Sequence, residues 1–205
     1  MIYEKLLSFG DIIPLSMFVN PKKLFNEISQ FQYRKYNPRK DIKRFGLSLT
    51  SLDGGLDGFD LDSLYEYNRK NNTHYDDSSF QTFTPVYDES EEIRRVLDPW
   101  KEDIGRSHIL YMPPGGHFPP HRDCSHYEDK QFVFRIIVPL LNCNPMDSYF
   151  MYEDKPVIFD HGKAYFMNTN KRHTVFSMTE CYMIVLNIVC NENSIKTVIN
   201  NFSQK

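Results

Sequence analysis

The chain has 205 residues, of which 40% are hydrophobic, 25% charged and 15% aromatic. So many rings in a chain of this size can bury a substantial core, which excludes disordered, collagen-like and coiled-coil classes. The net charge of −3 carries no overall basic footprint and argues against a nucleic-acid partner.

The first residues, MIYEKLLSFGDIIPLSMF, include Glu4 and no clean apolar run, so no secretion signal is expected. No stretch approaches the roughly 18 apolar residues of a membrane span. The four cysteines, Cys124, Cys143, Cys181 and Cys190, match no zinc spacing. A reducing, cytoplasmic location is the expectation. One basic run, from Arg34 to Arg44, reads as a solvated face.

In chain order, Asn20 and Pro21 read as the cap and first position of a helix reaching about Phe31. Phe45 to Leu52 alternates and reads as a strand. Asp53 to Asp62 is a Gly/Asp-rich loop explained by turn chemistry, since calcium-loop spacing is missing. Asn68 to Ser79 reads as a polar surface loop. Asp88 is placed to cap a short helix, Glu89 to Leu97, that stops before Pro99.

From residue 105 the texture turns to strands. Ser107 to Met112 is short, and Pro113, Pro114, Gly115 and Gly116 form a sharp turn. Gln131 to Leu141 reads as a long buried strand. Ser148 to Tyr152 and Val157 to Phe159 are short strands, and Asp160-His161-Gly162 is a hairpin signal. Ala164 to Asn168, Thr174 to Met178 and Cys181 to Cys190 follow, with a terminal helix over 193–202. About eight closely spaced strands predict a mainly β fold with flanking helices, a jelly-roll or barrel. The expected organisation is one domain over 1–205. Residues 1–104 supply helices and edge strands, 105–190 the barrel core, and 191–205 a tail.

An iron centre that activates oxygen needs two imidazoles and one carboxylate on one face, with the opposite face open. In sequence this is His-x-Asp/Glu and a distant His. Seven His and 27 acids among 205 residues predict about one such tripeptide by chance, and there are three. His74-Tyr75-Asp76 lies in a polar stretch and His126-Tyr127-Glu128 inside a loop. His121-Arg122-Asp123 is different, because it follows the rigid PPGGHFPP segment and precedes an apolar strand. Arg135 interrupts that strand and needs an anion; a structural ion pair and a clamp on a carboxylate ligand both satisfy it. His173 begins a later strand and is the candidate second imidazole.

The segments YMPPGGHFPPHRD, RIIVPL and GKAYFMNTNKRHTVFS together resemble the iron(II)/2-oxoglutarate-dependent oxygenases. The resemblance covers about residues 105–190 and is closest to the aspartyl/asparaginyl β-hydroxylase-like branch. It implies a double-stranded β-helix, a cupin-like barrel, with His121, Asp123 and His173 as iron ligands. It also implies iron(II) and 2-oxoglutarate as cofactor and co-substrate, with Arg135 holding a 2-oxoglutarate carboxylate. The implied activity is a dioxygenase that hydroxylates an amino acid, a peptide side chain or a small molecule with O2. One departure stands out. The branch usually carries Arg ten residues after the distal His, where this chain has Met183.

Met183, Val185 and Asn187 share a strand face by period two. Asn187 is therefore a candidate for the co-substrate or a metal-bound ligand, or for a bond to loop backbone. Tyr111 is a candidate for the same pocket or for core packing. Arg122 and the loop Ser48 to Asp60 are candidate substrate contacts. The competing function is a non-oxygenase metal-binding cupin, an isomerase or small-molecule-binding module, which Met183 favours.

Overall fold

A computed structural model describes residues 2–36, 42–56, 61, 63–123, 126–127 and 130–202. The N-terminal third lays down helices and edge strands. Helix α1 (Ile2–Leu7) leads into β1 (Ile12–Phe18), a strand the sequence does not predict. Its Pro14 removes a ladder donor, and the strand accordingly lies at a sheet edge. Asn20 caps α2 (Pro21–Glu27) by accepting from the Lys23 N–H at 3.2 Å. The helix ends one turn before Phe31.

Strand β2 (Arg34–Lys35) pairs with β3 (Phe45–Ser48), and β4 (Thr50–Ser51) turns away to a different partner. The predicted Phe45–Leu52 strand is thus broken. Thr50 diverts it, because its hydroxyl donates to the Gly105 carbonyl at 2.7 Å and accepts from the Ser107 N–H at 2.8 Å.

The expected loop over Asn68–Ser79 instead holds the end of α3 (Leu64–Asn71) and a 3-10 turn at Asp77–Ser79. Helix α3 buries no residue, so it leaves no apolar period to read. Beyond β5 (Thr82–Phe83), α4 (Pro85–Glu89) precedes α5 (Glu91–Leu97). Ser90, not Asp88, caps α5, accepting from the Ile93 N–H at 3.1 Å. Pro85 at the first helical position starts the earlier turn and leaves Asp88 inside it.

The barrel follows as β6 (His108–Met112), β7 (His117–His121), β8 (His126–Tyr127), β9 (Lys130–Gln131), β10 (Val133–Leu141), β11 (Ser148–Tyr152), β12 (Lys155–Pro156), β13 (Lys163–Met167), β14 (His173–Ser177) and β15 (Cys181–Val189). Helix α6 (Glu192–Asn200) closes the described chain, capped by Asn191. Val157–Phe159 is not a strand. The Asn144 side-chain amide replaces a partner strand there, donating to the Phe159 carbonyl at 2.9 Å and accepting from its N–H at 2.8 Å.

Among the described residues a seven-stranded sheet has the order β1-β13-β10-β15-β6-β3-β2, and a four-stranded sheet the order β12-β11-β14-β7. The named pairings are all antiparallel. From β6 onward the main strands alternate sheets: β6 large, β7 small, β10 large, β11 small, β13 large, β14 small, β15 large. That alternation winds the chain as a double-stranded β-helix. The turn at Asp160–Gly162 therefore joins different sheets and is not a hairpin. Gly162 there has φ of +84°, and a Cβ on it would lie 2.3 Å from the Val19 carbonyl oxygen.

Strands β10 and β15 are nearly continuously apolar because both their faces are covered. One face, with Phe134, Ile136, Val138, Ile184, Leu186 and Ile188, packs under the helices with Leu24, Val96, Trp100 and Val198. The other, with Ile137, Met183 and Val185, meets Phe150 and Val175 of the small sheet. The second layer surrounds the site. No helix of the described residues is long and apolar enough to cross a membrane.

Candidate metal centre

Strand β7 sits at the edge of the small sheet, where Pro119 and Pro120 are exposed and lose no ladder bonds. The preceding turn seats it. Gly115 has φ of +83°, and its N–H donates to the Ser177 carbonyl on β14 at 2.8 Å. The Ser177 N–H donates back to the Gly116 carbonyl at 2.8 Å. A Cβ on Gly116 would lie 2.5 Å from the Lys43 carbonyl oxygen. This register places His121 directly opposite His173, with ring centroids 4.3 Å apart. Asp123 follows two residues on, anchored by its N–H to the Thr169 carbonyl at 2.9 Å.

One ligand atom from each of His121, Asp123 and His173 falls within 4.8 Å of the others. His121 Nε2 is 3.5 Å from Asp123 Oδ1, and His173 Nε2 is 3.8 Å from Asp123 Oδ2. The far nitrogen of each ring is already engaged. His121 Nδ1 lies 2.8 Å from the Pro119 carbonyl and His173 Nδ1 2.9 Å from the Lys171 carbonyl. A carbonyl only accepts, so Nδ1 carries the proton in each neutral ring and Nε2 presents a lone pair. Two lone pairs and a carboxylate facing one another are three acceptors, which a cation between them satisfies. The donor set therefore fits a divalent metal ion.

Charge and burial agree. Burial opposes ionisation of Asp123, but Arg135 and the two imidazoles outweigh it and hold the carboxyl well below its usual range. Burial pushes His173 toward its neutral, ligating form. Exposure falls from 32% at His121 through 14% at Asp123 to 5% at His173. The centre is thus open on the His121 side and closed behind His173, against which Phe150 stacks.

Arg135 has partners that the sequence does not reveal. Its Nη1 is 2.7 Å from Asp123 Oδ2, and its Nε donates to Asn187 Oδ1 at 3.0 Å. The Asn187 amide donates in turn to the Arg106 carbonyl at 2.6 Å. Asn187 is therefore tied to loop backbone and orients Arg135. Tyr111 is not brought to the site. His108 and Leu110 take the inward positions of β6, so Tyr111 points outward, stacks on Tyr182 at 4.5 Å and donates to Glu180 at 3.0 Å. Arg122 is exposed beside the ligands. None of the described residues 48–56 lines the cavity, and 57–60 lie outside the described residues. His74 is exposed, and Glu128 of the third tripeptide lies outside the described residues.

The cavity beside the ligands has a volume of about 50 Å³, where one water needs roughly 10–15 Å³. A small organic molecule therefore has room. Its wall includes residues not singled out from sequence: Tyr36, His108, Phe118 and Thr169. Of these, His108 carries a sequence signal, because period two puts it on the same face as Leu110.

Fold and site together define a double-stranded β-helix carrying a two-histidine, one-carboxylate centre. No protein-family model matches the chain, and no curated protein matches it. Solved structures do resemble it. A Pseudomonas putida prolyl-4-hydroxylase aligns over 93% of this chain and 100% of its own, at 12% identity and a TM-score of 0.49. A Burkholderia pseudomallei oxidoreductase of the 2OG-Fe(II) oxygenase family aligns over 92% and 90%, at 12% identity and TM-score 0.49. A predicted oxalate decarboxylase from Thermotoga maritima aligns over 46% and 74%, at 17% identity and TM-score 0.34.

Proposed function

We propose that this chain is a mononuclear non-haem iron(II) oxygenase that uses a 2-oxo acid as co-substrate. The observation that carries the proposal is the pair of Nε2 lone pairs facing one carboxylate, with one side left open. That donor set and its open side suit iron(II) in oxygenases. His121, Asp123 and His173 hold the ion, and the bound metal supplies oxygen activation coupled to oxidative decarboxylation of the 2-oxo acid. Arg135 keeps Asp123 ionised and fixed, Asn187 aligns Arg135, and the apolar wall excludes water. 2-Oxoglutarate is the co-substrate the sequence resemblance implies. An amino acid, peptide side chain or small molecule is the implied class of hydroxylated substrate.

The second reading, a metal-binding cupin without oxygenase chemistry, is favoured by the apolar Met183 in the cavity wall. Anaerobic titration with iron(II) and a panel of 2-oxo acids, 2-oxoglutarate among them, separates the two. The oxygenase reading expects a visible charge-transfer band that His121→Ala abolishes. Iron binding with no band for any acid supports the cupin reading, and failure to bind a divalent metal defeats both.

A further inference from the structure

The cavity has two unlike ends. His121, Tyr36 and Phe118 form its partly exposed mouth. Leu110, Ile137, Met183 and Val185, all buried, form its inner wall. These four are register neighbours: Met183 pairs with Leu110 on β6, and Val185 with Ile137 on β10.

Among the described residues, Arg135 is the one permanently charged cation in the wall. Its head is held at the metal end by Asp123 and Asn187. Its cross-strand partner Asn187 stands four residues along β15 from Met183, ~13 Å at ~3.3 Å per residue. Arg44 is stacked on the Phe118 ring at 4.0 Å and is not part of the wall. His108 does line it. It pairs with Val185 across the sheet, and its buried Nδ1 has no hydrogen-bond partner; burial, Arg106 and Arg135 push the imidazole toward its neutral form, so it offers a ligand one hydrogen bond but no charge.

We propose that the inner half of this cavity takes the aliphatic tail of a 2-oxo monocarboxylic acid rather than the second carboxylate of 2-oxoglutarate. The inference rests on the reading of the centre as 2-oxo-acid-dependent and specifies which acids it accepts. The first carboxylate and keto oxygen of such an acid belong at the metal end, beside Arg135. The tail then meets Leu110, Ile137, Met183 and Val185. A second carboxylate there would lose its water without meeting a counter-charge among the described residues. Methylene and methyl groups gain by the same burial, each worth about fourfold in affinity.

The test uses the full chain loaded with manganese(II), which removes turnover from the readout. Calorimetric titration compares 2-oxoglutarate, 2-oxobutanoate, 2-oxopentanoate and 2-oxo-4-methylpentanoate. Affinity is expected to climb along the aliphatic series, with 2-oxo-4-methylpentanoate about tenfold or more tighter than 2-oxoglutarate. Met183→Arg places a cation on the inner wall and is expected to reverse that order. Should this variant fail to fold, the wild-type ranking decides alone. Wild-type protein that prefers 2-oxoglutarate, or a folded Met183→Arg that keeps the wild-type order, overturns the inference and leaves the oxygenase reading standing. Binding of no 2-oxo acid by the metal-loaded protein overturns both.

Discussion

At the scale of single residues the centre is a problem of acceptors. His121 and His173 each spend Nδ1 on a carbonyl, so each has only Nε2 to offer. Replacing either by Ala is expected to abolish stoichiometric metal binding, read by calorimetry. Arg135 acts one step away, through Asp123. Arg135→Ala is expected to weaken the metal about 10–100-fold, the usual cost of removing a partner of a ligand. Unchanged metal affinity would show that Asp123 needs no help. His108 makes a separate prediction. Its folded value of about 3 lies below its ordinary 6.5, so the unfolded chain binds a proton that the folded chain refuses. Stability is therefore full above pH 6.5 and falls as pH drops toward 3, by at most about 5 kcal/mol from this group. Urea midpoints between pH 7 and 4 should fall less steeply in His108→Gln than in the parent.

At the scale of elements, placement of β7 decides whether the ligands meet. The Gly115–Gly116 turn offers a controlled comparison. Gly115 has positive φ but open space where a Cβ would stand, whereas a Cβ on Gly116 collides with the Lys43 and Pro113 carbonyls. Gly115→Ala is expected to cost about 1 kcal/mol of stability from backbone strain alone, with metal affinity unchanged. Gly116→Ala must shift β7 and carry His121 with it, so both stability and metal affinity should drop. Equal metal affinity in the two variants would mean that the turn does not position the ligand. Elements also differ in how legible they are in sequence. The two long strands, β10 and β15, are legible because continuous apolar runs suit strands covered on both faces. Strand β7 is not, since HFPPH violates strand chemistry everywhere except at an edge, and edges are assigned only by the sheet. Helix α3 escapes for the opposite reason: it buries no side chain and so shows no period.

At the scale of the whole molecule, a metal held by these three residues would tie two sheets together. His121 and His173 come from the small sheet, while Asp123 is paired to Arg135 on the large one. An ion bound only by the folded chain stabilises it by mass action, about 2.7 kcal/mol at a hundredfold excess over Kd. For a chain of this size that corresponds to a Tm rise of roughly 5–10 °C. Chelator should reverse the rise, and His173→Ala should not show it. What the sequence determined by itself was the strand-rich class and the ordered series His121, Asp123, Arg135 and His173, because hydrophobic period and residue chemistry are local properties. It could not say that Arg135 answers Asp123, that Asn187 is spent on Arg135, or that Tyr111 faces outward. The last two facts depend on register between strands 52 or more residues apart in sequence, and the first on the turn that carries Asp123 past the end of its strand back to Arg135, so only the folded sheets set which side chains meet. The same register put Met183, Leu110, Ile137 and Val185 around one space, which turned a departure in sequence into a statement about the ligand.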